Sequence, residues 1–246
     1  MGFQRRTLSA VEALEARLST GSQLRIMYRD SDYYQPPTQF AVFPPVVKNL
    51  LILNGLVFLA QLVPTTDRLL IEWFALWPLG LPDFYPGFWP WQLITYSFLH
   101  GGFAHLFFNM FALWMFGVPI ERAWGSRRFG VYYFVCVVGA GLTQLLVVTL
   151  SGAVYPTVGA SGGVFGILLA FGMMFPNTPI YLYFLFPIKA KWLVIGYGLL
   201  ELWAGVTGTQ SGVAHFAHLG GMLFGFLLIQ YWRGKLPWRP SRRLYW

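Results

Sequence analysis

Charge is scarce in this chain: of its 246 residues, 17 are basic, 9 are acidic, and the charged share is 11%. A water-soluble domain of this length carries about 25% charged residues, so most of this surface faces something other than water. Cysteine is nearly absent. The single Cys136 can form no internal disulfide, which excludes a disulfide scaffold. Acids are missing from the apolar stretches except for Glu201, the one carboxylate there after Glu121. Hard oxygen ligands for a metal are therefore few. The chain also shows no cleavable signal peptide, because its N-terminus is polar and its first apolar run begins late. Arg6 stands where a myristoylation signal needs Ser or Thr, and no inverted repeat of the transporter kind is visible.

Apolar and aromatic residues fill the space left by charge, at 56% and 19%. Six runs approach the roughly 20 apolar residues that cross a bilayer: 46–63, 98–120, 129–150, 161–175, 191–207 and 212–232. The fourth is short. This pattern predicts an all-α, polytopic membrane protein of six transmembrane helices. The segment 64–97 is too long for a tight turn and too apolar for a solvated loop. It carries Trp73, Trp77, Trp89 and Trp91, broken by Pro78, Pro82, Pro86 and Pro90. Aromatics of this kind favour the membrane–water interface, so the segment is expected to lie half-sunk in the outer leaflet, not to form a seventh span.

The net charge of +8 follows topology. Arg122, Arg127 and Arg128 follow the second run, Lys189 and Lys191 open the fifth, and Arg233, Lys235, Arg239, Arg242 and Arg243 follow the sixth. Alternate connections hold Arg68 alone. That is the positive-inside bias, with both termini expected in the cytoplasm and no nucleic acid expected as a partner. Residues 1–45 read as a cytoplasmic tail: Ser9 to Glu12 has the capping-box pattern and Val11, Leu14 and Leu18 recur at helical spacing, before a Pro-rich linker. Residues 46–232 form the six-span domain, and 233–246 a basic cytoplasmic tail.

Polar groups inside the runs carry the chemistry. His105 and Asn109, four apart, share one helix face. His215 and His218 open the sixth run, and Ser161 opens the fourth within "GASGG". Taken singly, Ser161 could be a cap, a packing residue or a nucleophile, and each histidine could serve to bond a neighbouring helix. The two nearby histidines lack the glutamate of His-Glu-x-x-His, which argues against a metal. "GASGG" also fits the Gly-x-Ser-x-Gly elbow of soluble hydrolases, but the strand and sheet that elbow needs are not suggested.

Together, "HLFFN" at 105–109, "ERAWGSRRF" at 121–129, "GASGG" at 159–163 and "AHLGGMLFG" at 217–225, in this order within six runs, resemble the rhomboid family of intramembrane serine proteases. The resemblance covers about residues 46–232. It implies a six-helix bundle with an interfacial loop between the first two helices, and an endopeptidase that cleaves single-span membrane proteins in or near their transmembrane segments. It further implies that Ser161 is the nucleophile and His218 its general base, in a dyad without an acid. His105, Asn109 and the Ser161 backbone N–H would be the oxyanion donors. No cofactor and no metal is implied; the partners are transmembrane substrates and the lipid bilayer, and the location is a bacterial inner membrane.

Gly162 and Gly166 on the fourth helix, with Gly221 and Gly225 on the sixth, form small-xxx-small faces. Their contact is expected to bring Ser161 to His218, with Gly159 before the serine in support. Six residues into its run, His218 would lie roughly 9 Å below the surface. Two positions depart from the family. Phe165 stands where a tyrosine often stacks on the catalytic histidine, so the stack is kept without a hydroxyl. Gln92 follows Trp91 where an arginine is common, which removes that arginine's contribution to the loop. His100 and His215 match positions often occupied by histidine and are expected to support the site. Two other readings stand beside the protease: a catalytically inactive rhomboid-like protein that binds membrane clients, and a small-molecule transporter. The first would have lost Ser161 or His218; the second needs mid-membrane acids beyond Glu201.

Overall fold

The structure, a computed structural model, describes residues 43–182, 185–208, 213–238, 240, 243 and 244. The expected N-terminal helix, most of the Pro-rich linker, and Arg239 and Arg242 lie outside the described residues. Each of the six apolar runs is a helix: α1 Pro45–Gln61, α4 Phe103–Trp124, α5 Ser126–Ser151, α6 Ser161–Met174, α7 Ala190–Thr207 and α8 His215–Trp232. Two of them, α4 and α5, are long and apolar enough to cross a bilayer, and α1 and α6 are apolar but shorter. The remaining helices among the described residues, α2 Pro64–Phe74 and α3 Gln92–Thr95, lie in the aromatic loop, with a 3-10 turn at Tyr96–Phe98.

Polar contacts at the helix ends explain the boundaries. Proline at the first position of α1 needs no hydrogen-bond partner for its nitrogen. The next two N–H groups, of Val46 and Val47, donate to the two carboxylate oxygens of Glu121 at 2.9 and 2.8 Å. Ser126 Oγ donates to the same carboxylate at 2.7 Å. The buried Glu121 thus caps α1 from the end of α4 and ties in the start of α5. Helix α8 packs along α5 and α6, which places α5 and α6 at the centre. Phe129, Tyr132, Tyr133, Ile167 and Ile229 are fully buried there.

The aromatic loop contains more order than its sequence announced. Helix α2 lies on it with no buried residue. The loop is bound to itself by Trp91 Nε1, which donates to the Trp73 carbonyl at 3.0 Å, and by Thr95 Oγ1, which donates to the Phe74 carbonyl at 2.8 Å. Gln92 is fully buried. Its Oε1 accepts from the Trp77 N–H at 3.2 Å, while Nε2 donates to the carbonyls of Gly87 (3.2 Å) and Trp73 (3.4 Å). A neutral amide, carrying both a donor and an acceptor, crosslinks three backbone positions here without an arginine.

Between α6 and α7 the chain forms a hairpin that the sequence reading passed over. β1 Pro179–Leu182 pairs antiparallel with β2 Phe186–Lys189, with Pro179 opposite Lys189 and Ile180 opposite Ile188.

Candidate active site

The approach to Ser161 is held by the aromatic loop. Leu76 and Thr157 exchange both backbone hydrogen bonds, at 3.0 and 2.9 Å, and the Gly159 N–H donates to the Tyr96 carbonyl at 2.9 Å. Gly159 has φ +123°, a conformation that L side chains rarely adopt. A Cβ there would also lie 2.7 Å from His105 Cε1 and Nε2, and 3.7 Å from Ser161 Oγ. The His105 ring and the Ser161 hydroxyl therefore flank one small space that a glycine leaves open.

Ser161 is the first residue of α6 and half-buried. First-turn N–H groups of a helix have no intrahelical partner, and the positive end of the helix dipole lies among them. His105 Nδ1 accepts from the Gly101 N–H at 3.3 Å. The His105 proton then sits on Nε2, the atom on the Gly159 side. Asn109, one turn along α4, is buried, and its Nδ2 donates to the His105 carbonyl at 2.9 Å. A second amide hydrogen remains for another acceptor. His100 is buried with its ring edge-on to His105, centroids 5.1 Å apart, and Gln61 bonds both its N–H and its carbonyl.

Helix α8 supplies His218, which is buried with Nε2 2.7 Å from Ser161 Oγ. Phe165, one turn after Ser161, stacks on the imidazole at 4.2 Å between centroids and 5° between planes. A hydroxyl hydrogen-bonded to a bare imidazole nitrogen can lose its proton as it attacks an electrophile.

The other edge of the His218 ring carries a correction to the sequence reading. Nδ1 lies 2.9 Å from Glu201 Oε2, and the same oxygen is 2.7 Å from His215 Nδ1. An acid does stand beside the histidines. Loop residues separate it from them in sequence, so spacing alone could not pair them. The signal was energetic: a lone carboxylate in an apolar helix calls for a partner, and His215 and His218 face it.

Glu201, His215 and His218 hold their ligand atoms within 4.8 Å of one another, as a metal site would require. Tetrahedral zinc ligands at about 2.0–2.1 Å from the ion stand roughly 3.3 Å apart. The 2.7 and 2.9 Å separations are those of groups in direct contact.

The glycines divide into two sets. The Gly162 carbonyl sits against Gly221, and a Cβ on Gly166 would meet Cys136 and lie 3.2 Å from the Gly221 carbonyl. Gly225 corrects the expected contact face. A Cβ there would meet the side chains of Tyr132 and Cys136 of α5 first. The reason is Tyr132, whose hydroxyl donates to the Gly166 carbonyl at 2.7 Å and fills the space one turn below Gly221.

The family model described as the Rhomboid domain matches residues 88–234. RHOMBOID-like protein 4 of Arabidopsis thaliana is 36% identical over 141 residues, covering 56% of this chain and 33% of that protein. Rhomboid protein 1, mitochondrial, of Saccharomyces cerevisiae is 32% identical over 156 residues, covering 62% of this chain and 45% of that protein. Rhomboid protease GluP of Bacillus subtilis is 35% identical over 136 residues, covering 55% of this chain and 25% of that protein. The chain spans less than half the length of these three relatives.

Proposed function

This chain belongs to the rhomboid family, and we propose that it is an intramembrane serine endopeptidase acting on single-span membrane proteins. The reading rests above all on the 2.7 Å contact between His218 Nε2 and Ser161 Oγ. In this mechanism Ser161 Oγ attacks the carbonyl carbon of a substrate peptide bond while its proton passes to His218 Nε2. Negative charge develops on the substrate oxygen. In this reading His105 Nε2–H, the second Asn109 amide hydrogen and the Ser161 N–H are the donors to that charge, in a site of low dielectric where fixed donors act strongly. His218 then protonates the leaving amine, and water resolves the acyl-enzyme on Ser161.

The proposal extends to six membrane-spanning helices. Large apolar side chains are exposed on the outer faces: Leu53, Leu56 and Leu59 of α1, Phe107 and Phe108 of α4, and Leu199 and Trp203 of α7. Buried polar residues, among them Gln144, Asn109 and His218, face inward. A surface of this kind suits lipid, with the basic connections on the cytoplasmic side of a bacterial inner membrane. The 14-residue α6 is too short to span a full hydrocarbon core, which would leave room for water above Ser161.

The test is covalent labelling of the full chain in mild detergent with a fluorophosphonate, read by intact mass. One adduct on Ser161 is expected, lost in Ser161→Ala and strongly reduced in His218→Ala. Labelling that persists in Ser161→Ala would defeat the protease reading and favour a client-binding role.

A further inference from the structure

Resting on the protease reading, we propose that Glu201 is a positioning residue for His218, so that the Ser161–His218 pair works with a third, carboxylate member supplied by α7. For Nε2 to accept the Ser161 proton it must be bare, and the ring hydrogen must then sit on Nδ1. The acidic oxygen at that edge is Glu201 Oε2, 2.9 Å away. A carboxylate there favours the required tautomer, fixes the ring plane, and stabilises the imidazolium that forms as Ser161 attacks.

The contact is at ion-pair distance without full hydrogen-bond alignment. Catalytic contacts of this kind tighten once substrate is bound and charge develops. His215 steadies the acid. Its Nδ1 bonds the same oxygen at 2.7 Å from one turn before His218 on α8, so Glu201 is held from the helix that carries the base. On the far side of the ring, Phe165 stacks and Ser161 bonds. The Nε2 edge and one face of the imidazole are thereby fixed, and the Nδ1 edge faces the acid.

A rival role for Glu201 is to clip α7 to α8. That contact has other support: Gly205 leaves space into which a Cβ would meet Phe216 and His215 at 3.1–3.2 Å, and Gly198 faces Met222. Replacing the charge with an isosteric amide should therefore spare the packing.

The experiment uses the full chain in detergent, with a quenched fluorescent transmembrane peptide for turnover and the fluorophosphonate for Ser161 reactivity. Glu201→Gln should lower kcat by about 10²-fold or more, toward the ~10⁴ that altering the orienting acid costs a serine triad. KM and the melting temperature should stay near wild type. In a His218→Ala background, Glu201→Gln should change the slow labelling of Ser161 no further. An equal loss with and without His218, or wild-type kcat in Glu201→Gln, would overturn the proposal. Nitrogen-15 spectra of histidine-labelled wild type, assigned with His218→Ala, give a reading that no variant's folding can obscure. His218 should carry its proton on Nδ1 at neutral pH, and the opposite tautomer would also overturn it. If wild type fails to label at all, the protease reading itself has failed and this proposal falls with it; a labelled wild type with an unaffected Glu201→Gln refutes only the role of Glu201.

Discussion

The carbonyl of Gly162 lies directly against Gly221, so that no Cβ fits on Gly221 without moving the backbone of α6. This contact is one residue from Ser161 and three from His218, and it sets how near the two helices carry those side chains. Gly221→Ala should push α6 and α8 apart. A shift of ~1 Å at reacting groups can cost on the order of 10²-fold in rate, and overpacking about 1–3 kcal/mol in stability. Turnover and thermal melting of Gly221→Ala check this. Gly225→Leu should instead strain the contact with α5 and act mainly on stability. Full activity in a folded Gly221→Ala protein would detach the contact from the site.

The donors around Gly159 make a second prediction. Losing one oxyanion donor typically costs about 10²–10³ in kcat. His105→Ala should show a loss of that order, because its Nε2 borders the same space as Ser161 Oγ. Asn109→Ala should be milder, since one of its amide hydrogens is already engaged with the His105 carbonyl. Steady-state kinetics on the two single variants and their double decide it. A double variant with wild-type kcat would remove both residues from the mechanism.

Gln92 makes a third. Truncation to alanine removes three hydrogen bonds and leaves the buried Trp77 N–H, with the part-buried carbonyls of Trp73 and Gly87, without the amide. Unsatisfied buried groups cost about 1–3 kcal/mol each, so Gln92→Ala should lower the melting temperature clearly. Some activity should be lost as well, because the same loop holds Thr157 and Gly159. An unchanged melting curve would mean the loop is kept rigid by its aromatics alone.

Topology gives the fourth. A cysteine at Thr65, at the start of α2, and another at Lys235, after α8, occupy exposed positions. The native Cys136 is buried. A membrane-impermeant thiol reagent applied to intact cells should modify the Thr65 site and spare the Lys235 site. Equal modification of both would contradict the charge-based orientation.

The local elements of this protein were legible in its sequence because their causes are local. Each apolar run forms a helix, which satisfies its backbone internally, with ends set by Pro45, Gly125 and Gly152. Ser161, His218, His105 and Asn109 stood out because polar groups in such runs carry a cost. The hairpin at Pro179–Leu182 and Phe186–Lys189 escaped notice because short apolar strands share their composition with the neighbouring helices.

What the sequence could not decide was which distant groups meet. Glu201 and His218 lie on different helices, and their pairing depends on the rotation of α7 about its axis. Gly225 repeats the spacing of Gly221, yet its nearest neighbour is Tyr132 of α5, whose hydroxyl bridges to the Gly166 carbonyl of α6. Periodicity tells which residues share a face. Which neighbour that face meets is set by packing the whole bundle at once, where the volume of one side chain redirects the contact of another.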